Sequence, residues 1–465
     1  MDLYLDVGRR GLARAIYEQV RTAITEGRIR PGDRLPPSRE LARELAVSRH
    51  TVTTAYGFLV AEGFLAGASG AGTRVSLPPA LPARHRAAPG RAPVVLSALP
   101  AEAPLRLDLR LGVPDPRLFP AAEWRSQVRR VAREAQAAQY GDAAGERALR
   151  AAIAAWIHRS RGVAATPERT VVTAGAQQAF DLILGVLIQP GDIVAVEDPG
   201  YLPFHKLARA RGAKVVGVPV DGDGLVVRAL PARVRLVHVT PSHQFPLGAV
   251  LSLPRRQELL AWARAARAHI IEDDYDSEFR FTDRPLEPLA RLDADGRVIY
   301  VGSFSKTLSP ALRLGFLLAP DALFDSLVGL RQLVDWCSPA LVQRALAGLI
   351  ADGTLERHLR RARRIYRVRH QLLCDWLSGP GRRLGRLLRS DVGLHVAVEL
   401  SPDVDDIDEA GLIARARARG VAIEGLGAYA TESSRRGLAL GYGATTPEAL
   451  AEALPVLLEV ARRRR

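Results

Sequence analysis

The stretch Val298-Ile299-Tyr300-Val301-Gly302-Ser303-Phe304-Ser305-Lys306-Thr307-Leu308-Ser309-Pro310-Ala311-Leu312-Arg313-Leu314-Gly315 concentrates more chemistry than any other in the chain. It opens on the apolar run Val298–Val301, which reads as a buried strand, and passes at once into a loop bearing hydroxyls, one amine and one guanidinium. The amine is informative because lysine is rare here. Of the 65 Lys and Arg side chains only Lys206, Lys214 and Lys306 are lysines. Where arginine serves almost everywhere, a lysine marks a task that arginine cannot perform. A guanidinium stays protonated, whereas a lysine amine can lose its proton and form an imine with a carbonyl. Ser303, Ser305 and Arg313, on the same loop, are suited to hold a phosphate.

Similar apolar runs lie upstream at Thr170–Thr173, Ile193–Val196, Val215–Val220, Leu236–Val239 and His269–Ile271, and from about residue 106 they alternate with long Ala/Leu/Arg helices. Strands alternating with helices indicate an α/β domain with a mostly parallel sheet. After the first run, Ala174-Gly175-Ala176-Gln177-Gln178 opens a helix, and a helix N-terminus at Gly175 and Ala176 offers free N–H groups to phosphate.

The Lys306 loop resembles the lysine loop of the fold type I aminotransferases, which use pyridoxal 5′-phosphate (PLP). The resemblance implies that Lys306 is the catalytic amine and captures the aldehyde of that cofactor. It also implies that residues 106–465 are an aminotransferase-like α/β domain with a smaller α+β C-terminal subdomain. In Ile271-Glu272-Asp273-Asp274-Tyr275-Asp276, Asp273 is then the partner of the pyridine nitrogen, with Asp274 as the fallback, and Tyr275 reaches the ring hydroxyl. The other acidic residues of that run are expected at the surface. Glu197-Asp198-Pro199-Gly200-Tyr201 resembles the segment whose aromatic residue, here Tyr201, stacks on the ring. Ser242-His243-Gln244-Phe245-Pro246-Leu247-Gly248 occupies the place of the family's Asn-Pro-Thr-Gly loop, with Gln244 in place of the asparagine that contacts the ring oxygen. Tyr140-Gly141-Asp142 resembles the segment whose tyrosine reaches the phosphate of a neighbouring subunit, so that a dimer completes the site.

Residues 1–76 have another character. Ile16, Val20 and Ile24 fall at helical spacing, and Gly27 with Pro31-Gly32 ends that helix. Ser38 is placed to N-cap a second helix striped by Leu41 and Leu45; Ser48 is placed to cap a third that carries Val52, Ala55, Tyr56 and Leu59. Gly67–Val75 supplies the Gly-rich turn of a hairpin. Helices joined by a tight turn and followed by a hairpin make a winged helix-turn-helix, mostly α. The run from Pro31 to Ala42, with Val47–Val52 and Ala55-Tyr56, resembles the GntR-type module, which binds DNA. Ser48, Arg49 and Thr51 occupy the first turns of the recognition helix, where arginine can pair with guanine and hydroxyls can reach phosphates or bases. Arg34, Ser38 and Arg39 precede it as backbone contacts. Gly70 and Gly72 let the wing approach a phosphate, beside Thr73 and Arg74. Residues 77–105 contain Pro78, Pro79, Pro82, Pro89, Pro93, Pro100 and Pro104 and read as an extended linker.

Composition agrees with this division. A length of 465 residues suggests two to four domains, and 48% hydrophobic with 25% charged residues is ordinary for a globular protein. No run approaches the roughly 18 apolar residues of a membrane span, and the N-terminal stretch lacks a signal-peptide core, so a cytoplasmic bacterial protein is expected. Cys337 and Cys374 cannot make a disulfide framework and read as core residues, and the histidines show no metal-ligand spacing. The net charge of +15 favours nucleic acid as a partner, while the basic stretch Arg357–Arg369 reads mainly as a solvated helix face. A disordered tail is expected at Arg462–Arg465.

A GntR-type reader tethered to an aminotransferase-like domain resembles the MocR/GabR family of transcription regulators over its full length. The resemblance implies a head-to-tail homodimer on double-stranded operator DNA that senses a small-molecule effector, either PLP itself or an amino acid or amine. Two other readings are an aminotransferase with an appended DNA-binding module and a ligand-binding repressor without cofactor chemistry. Lys306, Asp273 and Arg313 together oppose the second. Aligning Leu438-Ala439-Leu440-Gly441-Tyr442 with the strand that carries the substrate-carboxylate arginine puts Ala439 at that position, with Arg435 and Arg436 nearby as substitutes. Burying a carboxylate without such a partner is costly, so PLP is the expected signal, as in the PdxR-type regulators.

Overall fold

Ile16, Val20 and Ile24 share the buried side of the first helix, α1 (Leu12–Thr25), as their spacing requires. They pack with Leu41 of α2 (Ser38–Glu44) and with Val52, Ala55, Tyr56 and Leu59 of α3 (Arg49–Ala61) in a single small core. Strands β1 (Leu65–Ala68) and β2 (Gly72–Val75) pair antiparallel as the wing. Ser48 caps α3, its Oγ accepting from Thr51 N at 3.1 Å. Ser38 is not a cap: Pro37 precedes the helix and Ser38 is its first residue, so its hydroxyl faces Arg49 Nε at 3.5 Å instead. The computed structural model describes residues 11–68, 72–76, 105–134, 139–282, 287–388, 390–400, 409–433 and 435–461. Gly70, the linker at 77–104 and the tail Arg462–Arg465 lie outside these.

The chain divides into two units, Met1–Val95 and Leu96–Arg465. The second begins with a short strand β3 (Leu107–Asp108). An eight-stranded sheet follows, made of β4 (Thr170–Thr173), β5 (Ile193–Asp198), β6 (Lys214–Asp221), β7 (Gly224–Leu225), β8 (Val234–Val239), β9 (His269–Asp274), β10 (Val298–Ser303) and β11 (Gly315–Leu318). Its order is β4-β11-β10-β9-β8-β5-β6-β7. From β6 to β10 the pairing is parallel, whereas β11 and β7 run against their neighbours. The six predicted strands are all present. β7 and β11, two and four residues long, were not anticipated.

The C-terminal part is the expected smaller α+β layer. β12 (Gly385–Leu388), β13 (His395–Leu400), β15 (Glu424–Gly425) and β16 (Gly437–Gly441) form an antiparallel sheet in the order β12-β13-β16-β15, and β14 (Val421–Ala422) pairs with β3. The long helix Thr354–Ser378 corrects the solvated-face expectation in part. Leu359 and Tyr366 are in the core, and Arg369 is buried with its Nη2 2.6 Å from Asp115 Oδ2, because the helix packs one side against this layer. Cys337 and Cys374 are only half-buried. Among the described residues, no helix is long and apolar enough to cross a membrane.

Candidate functional site

In the N-terminal unit Arg49 is exposed at the first position of α3, with Ser48 before it and half-buried Thr51 two residues on. Thr51 Oγ1 lies 2.8 Å from Ser48 Oγ, so both hydroxyls are tied to the helix start. Arg39 is exposed on α2. Arg34 bridges to Arg74 of β2, placing both guanidinium-bearing residues at the wing, and Gly72 has a φ of +83° that a side chain would strain. The unit thus presents a helix start and a hairpin edge rich in cations, a geometry suited to a groove and its flanking phosphates.

The C-terminal unit holds a cavity of about 700 Å³, a size typical of small-molecule sites. Open α/β sheets place ligands at the carboxyl ends of their strands, and most lining residues come from there. Tyr201 follows β5, Thr240 follows β8, Asp273 and Tyr275 end β9, and Ser303, Ser305 and Lys306 end β10. Lys306 Nζ donates to Gly112 O at 2.6 Å. Burial pushes the Lys306 amine below its usual range, against the opposing pull of Asp276 and Asp273, which favours the neutral, nucleophilic form.

Around this amine lie several of the other residues singled out in the sequence. Ser303 Oγ accepts from Ser305 N at 3.1 Å, and Arg313, itself in a left-handed conformation, donates to Ala174 O at 2.7 Å. Gly175 precedes the helix Ala176–Leu187, which has no side-chain cap, so its first N–H groups remain available. Gly175 has a φ of +81° that a side chain would strain, and a Cβ there would come within 2.9 Å of the Arg313 guanidinium. Asp273 is buried, with Oδ2 3.4 Å from His238 Nε2. Tyr201 meets Phe180 and Phe245 edge-on. Tyr275 Oη donates to His243 O at 2.9 Å. The amine, carboxylate, aromatic wall and anion cradle therefore line one cavity, and the donor set fits an aldehyde-bearing aromatic phosphate.

Several expectations need correction. Gln244 is not brought to the cavity. It is 1% exposed, its amide nitrogen donates to Pro199 O and Phe245 O, and its oxygen accepts from Leu247 N at 3.0 Å, so the amide is consumed in shaping the loop. The neighbouring Phe245 lines the cavity instead; a reading that matched Phe245-Pro246-Leu247-Gly248 to the four-residue family motif would have found it. The acidic run is not at the surface, because β9 is a central strand covered on both faces. Glu272 accepts from Leu289 N and Ala290 N, and Asp274 pairs with Arg161 at 2.8 Å. Burial pushes Asp276 up to about 7, and it meets His243 and His395 in a buried group. These histidines converge despite their sequence separation; His243 Nδ1 is 3.1 Å from Asp276, and His395 Nε2 is 3.1 Å from Pro246 O.

Tyr140 is 77% exposed against Trp336 and does not line the cavity of its own chain. Ala439 is buried in a small apolar cluster with Val220, Leu247, Ala397 and Leu426. Neither Arg435 nor Arg436 lines the cavity; Arg435 Nη2 donates to Val220 O at 3.0 Å. Lys206, Arg110, Glu424 and Tyr429, to which the sequence reading gave no role, do line it.

Two family models divide the chain along the same line. Residues 12–75 match bacterial regulatory proteins of the gntR family, and residues 108–416 match aminotransferase class I and II. The chain is 36% identical over 464 residues to the probable rhizopine catabolism regulatory protein MocR of Rhizobium meliloti, covering 95% of this chain and 92% of that one. It is also 36% identical over 437 residues to the HTH-type pyridoxine biosynthesis transcriptional regulator PdxR of Corynebacterium glutamicum, covering 94% and 92%. Among solved structures, the kynurenine aminotransferase of Pyrococcus horikoshii, complexed with PMP, superposes with a TM-score of 0.71 at 27% identity over 77% of this chain and 91% of that one. LysN, the α-aminoadipate aminotransferase of Thermus thermophilus, complexed with N-(5′-phosphopyridoxyl)-L-leucine, gives 0.69 at 32% over 76% and 92%.

A DNA-binding winged helix-turn-helix joined to an aminotransferase-like domain defines a class of transcription regulators. The chain belongs to the MocR/GabR type of these HTH-type regulators.

Proposed function

We propose that this regulator binds PLP in the cavity at Lys306 and that PLP loading alters its grip on operator DNA. The observation that carries the reading is the joint presence, in one cavity, of the Lys306 amine, the Asp273 carboxylate and the Arg313 guanidinium with Ser303 and Ser305. When bound, PLP supplies a reactive aldehyde and an electron-withdrawing ring. Lys306 offers the amine for that aldehyde, and Asp273, buried with His238 3.4 Å away, offers a carboxylate to the ring nitrogen. Ser303, Ser305, Arg313 and the start of the helix at Ala176 hold the phosphate. Tyr201 and Phe245 supply apolar faces for the ring, and Tyr275 borders it. Tyr140, exposed in its own chain, serves the phosphate of the partner subunit in a head-to-tail dimer. The protein is placed in the cytoplasm, on DNA.

Ala439, buried in an apolar cluster, favours a sensor over an aminotransferase, because no cation stands at that strand position to fix a substrate carboxylate. PLP is accordingly proposed as the signal as well as the cofactor. Operator binding by cofactor-free protein is expected to change on titration with PLP. PLP-loaded protein titrated with a panel of amino acids provides the comparison. Identical operator binding by both forms, together with a response to one amino acid, would leave PLP only a cofactor.

A further inference from the structure

Two of the chain's three lysines line one cavity. Lys306 is accounted for above, and Lys214 is exposed at the start of β6. Lys206, half-buried on the helix Leu202–Ala210, faces the same cavity as Lys306. The other cations there are engaged. Arg110 forms a two-pronged ion pair with Asp108, its Nε at 2.9 Å and its Nη2 at 2.6 Å from the carboxylate. Arg313 donates to Ala174 O, Lys306 donates to Gly112 O, and Arg417 has a partner of its own. Of the cavity's carboxylates, Asp273 lies 3.4 Å from His238 Nε2, and Glu424 accepts from Leu111 N at 2.9 Å; neither pairs with Lys206. Among the described residues, Lys206 is the one cavity cation that makes no hydrogen bond or ion pair.

An ammonium drawn partly out of water without a counter-charge is unfavourable until an anion reaches it. The choice of lysine in an arginine-rich chain has a further meaning. A compact point charge with rotatable donors grips one acid group without the planar, two-pronged geometry that a guanidinium imposes. The PLP reading leaves Lys206 unused, since Arg313, the two serines and the Ala176 helix start serve the phosphate and Asp273 serves the ring.

We propose that Lys206 anchors the acid group, a carboxylate or sulfonate, of a second small molecule that enters the PLP-loaded cavity. The proposal rests on the PLP reading and adds a ligand to it. Lys206 then supplies, from the helix Leu202–Ala210, the charge that the Ala439 strand position lacks.

The test is calorimetric titration of the PLP-loaded full chain with 3-aminopropanoate and 2-aminoethanesulfonate, against 1-aminopropane as the matched amine without an acid group. The wild type is expected to bind the acids at least about tenfold more tightly than 1-aminopropane. Lys206→Met abolishes that preference and Lys206→Arg keeps part of it, while both variants retain wild-type PLP affinity and visible absorbance. Equal binding of the acids and 1-aminopropane by the wild type, or an undiminished preference in Lys206→Met, overturns the anchor. Weakened PLP binding in Lys206→Met also overturns it, by assigning Lys206 to the cofactor phosphate. A wild type that takes up no PLP defeats the cofactor reading instead, and the same titrations on the cofactor-free chain then decide the Lys206 anchor by whether the acid preference depends on Lys206.

Discussion

Lys306→Ala protein, incubated with PLP and desalted, is expected to be colourless where the wild type is yellow. The visible band requires a covalent link between an amine and the cofactor aldehyde, and alanine has no amine. Burial makes Lys306 the favoured site of that link. Its amine is held below the usual lysine range by desolvation, so a larger fraction is neutral near physiological pH. Lys206→Ala and Lys214→Ala are expected to keep the band, since neither removes the amine or the cradle of Ser303, Ser305 and Arg313. Absorption spectra of the four proteins, with mass spectrometry after borohydride reduction to locate the pyridoxyl group, check this. A wild type that stays colourless with PLP, or a Lys306→Ala variant that remains yellow, would defeat the assignment.

Arg49→Ala is expected to weaken operator binding by about 1–3 kcal/mol, roughly 5–150-fold, and to relax base preference at one position. Arg49 is exposed at the start of α3, where a recognition helix meets base edges and an arginine can make a two-pronged contact to guanine. Arg34→Ala acts differently. Arg34 lies beside Arg74 at the wing, so its loss is expected to weaken binding to all sequences alike and to lower the salt slope by about one phosphate's worth. Fluorescence anisotropy on operator and scrambled duplexes over a range of salt separates the two behaviours. An Arg49→Ala loss that is equal on both duplexes would remove its base-reading role.

The sites differ in how far they could be read in advance. In the DNA-binding unit, Ser48 caps α3 and Val52, Ala55, Tyr56 and Leu59 are buried as their spacing predicts, because caps and helical stripes depend on residues three or four apart. Ser38 departed from this by a single position, the ordinary uncertainty of a helix boundary. In the aminotransferase-like unit, the Lys306 loop and Gly175 were legible because a strand end, a rare lysine and a helix start are also local features. Gln244 and Phe245 were exchanged for a different reason. Adjacent residues in a loop point different ways, and here the turn takes the glutamine amide inward to Pro199 O while the phenyl ring faces the cavity.

By itself, the sequence determined the order of the two units, their helices and principal strands, and the residues that bring amine, hydroxyl and guanidinium chemistry to one loop. The tertiary structure alone decided which charges are buried and which meet. Glu272 and Asp276 resembled surface residues until β9 took its place between β8 and β10, and Arg369 resembled a solvated cation until its helix packed it against Asp115. The physical reason is that a side chain's solvation and partners are fixed by elements far away in the chain, through sheet order and helix packing, which no local pattern records. Lys206 belongs to the same class: its rarity was visible in the sequence, but its place on the cavity wall with Lys306 required the fold.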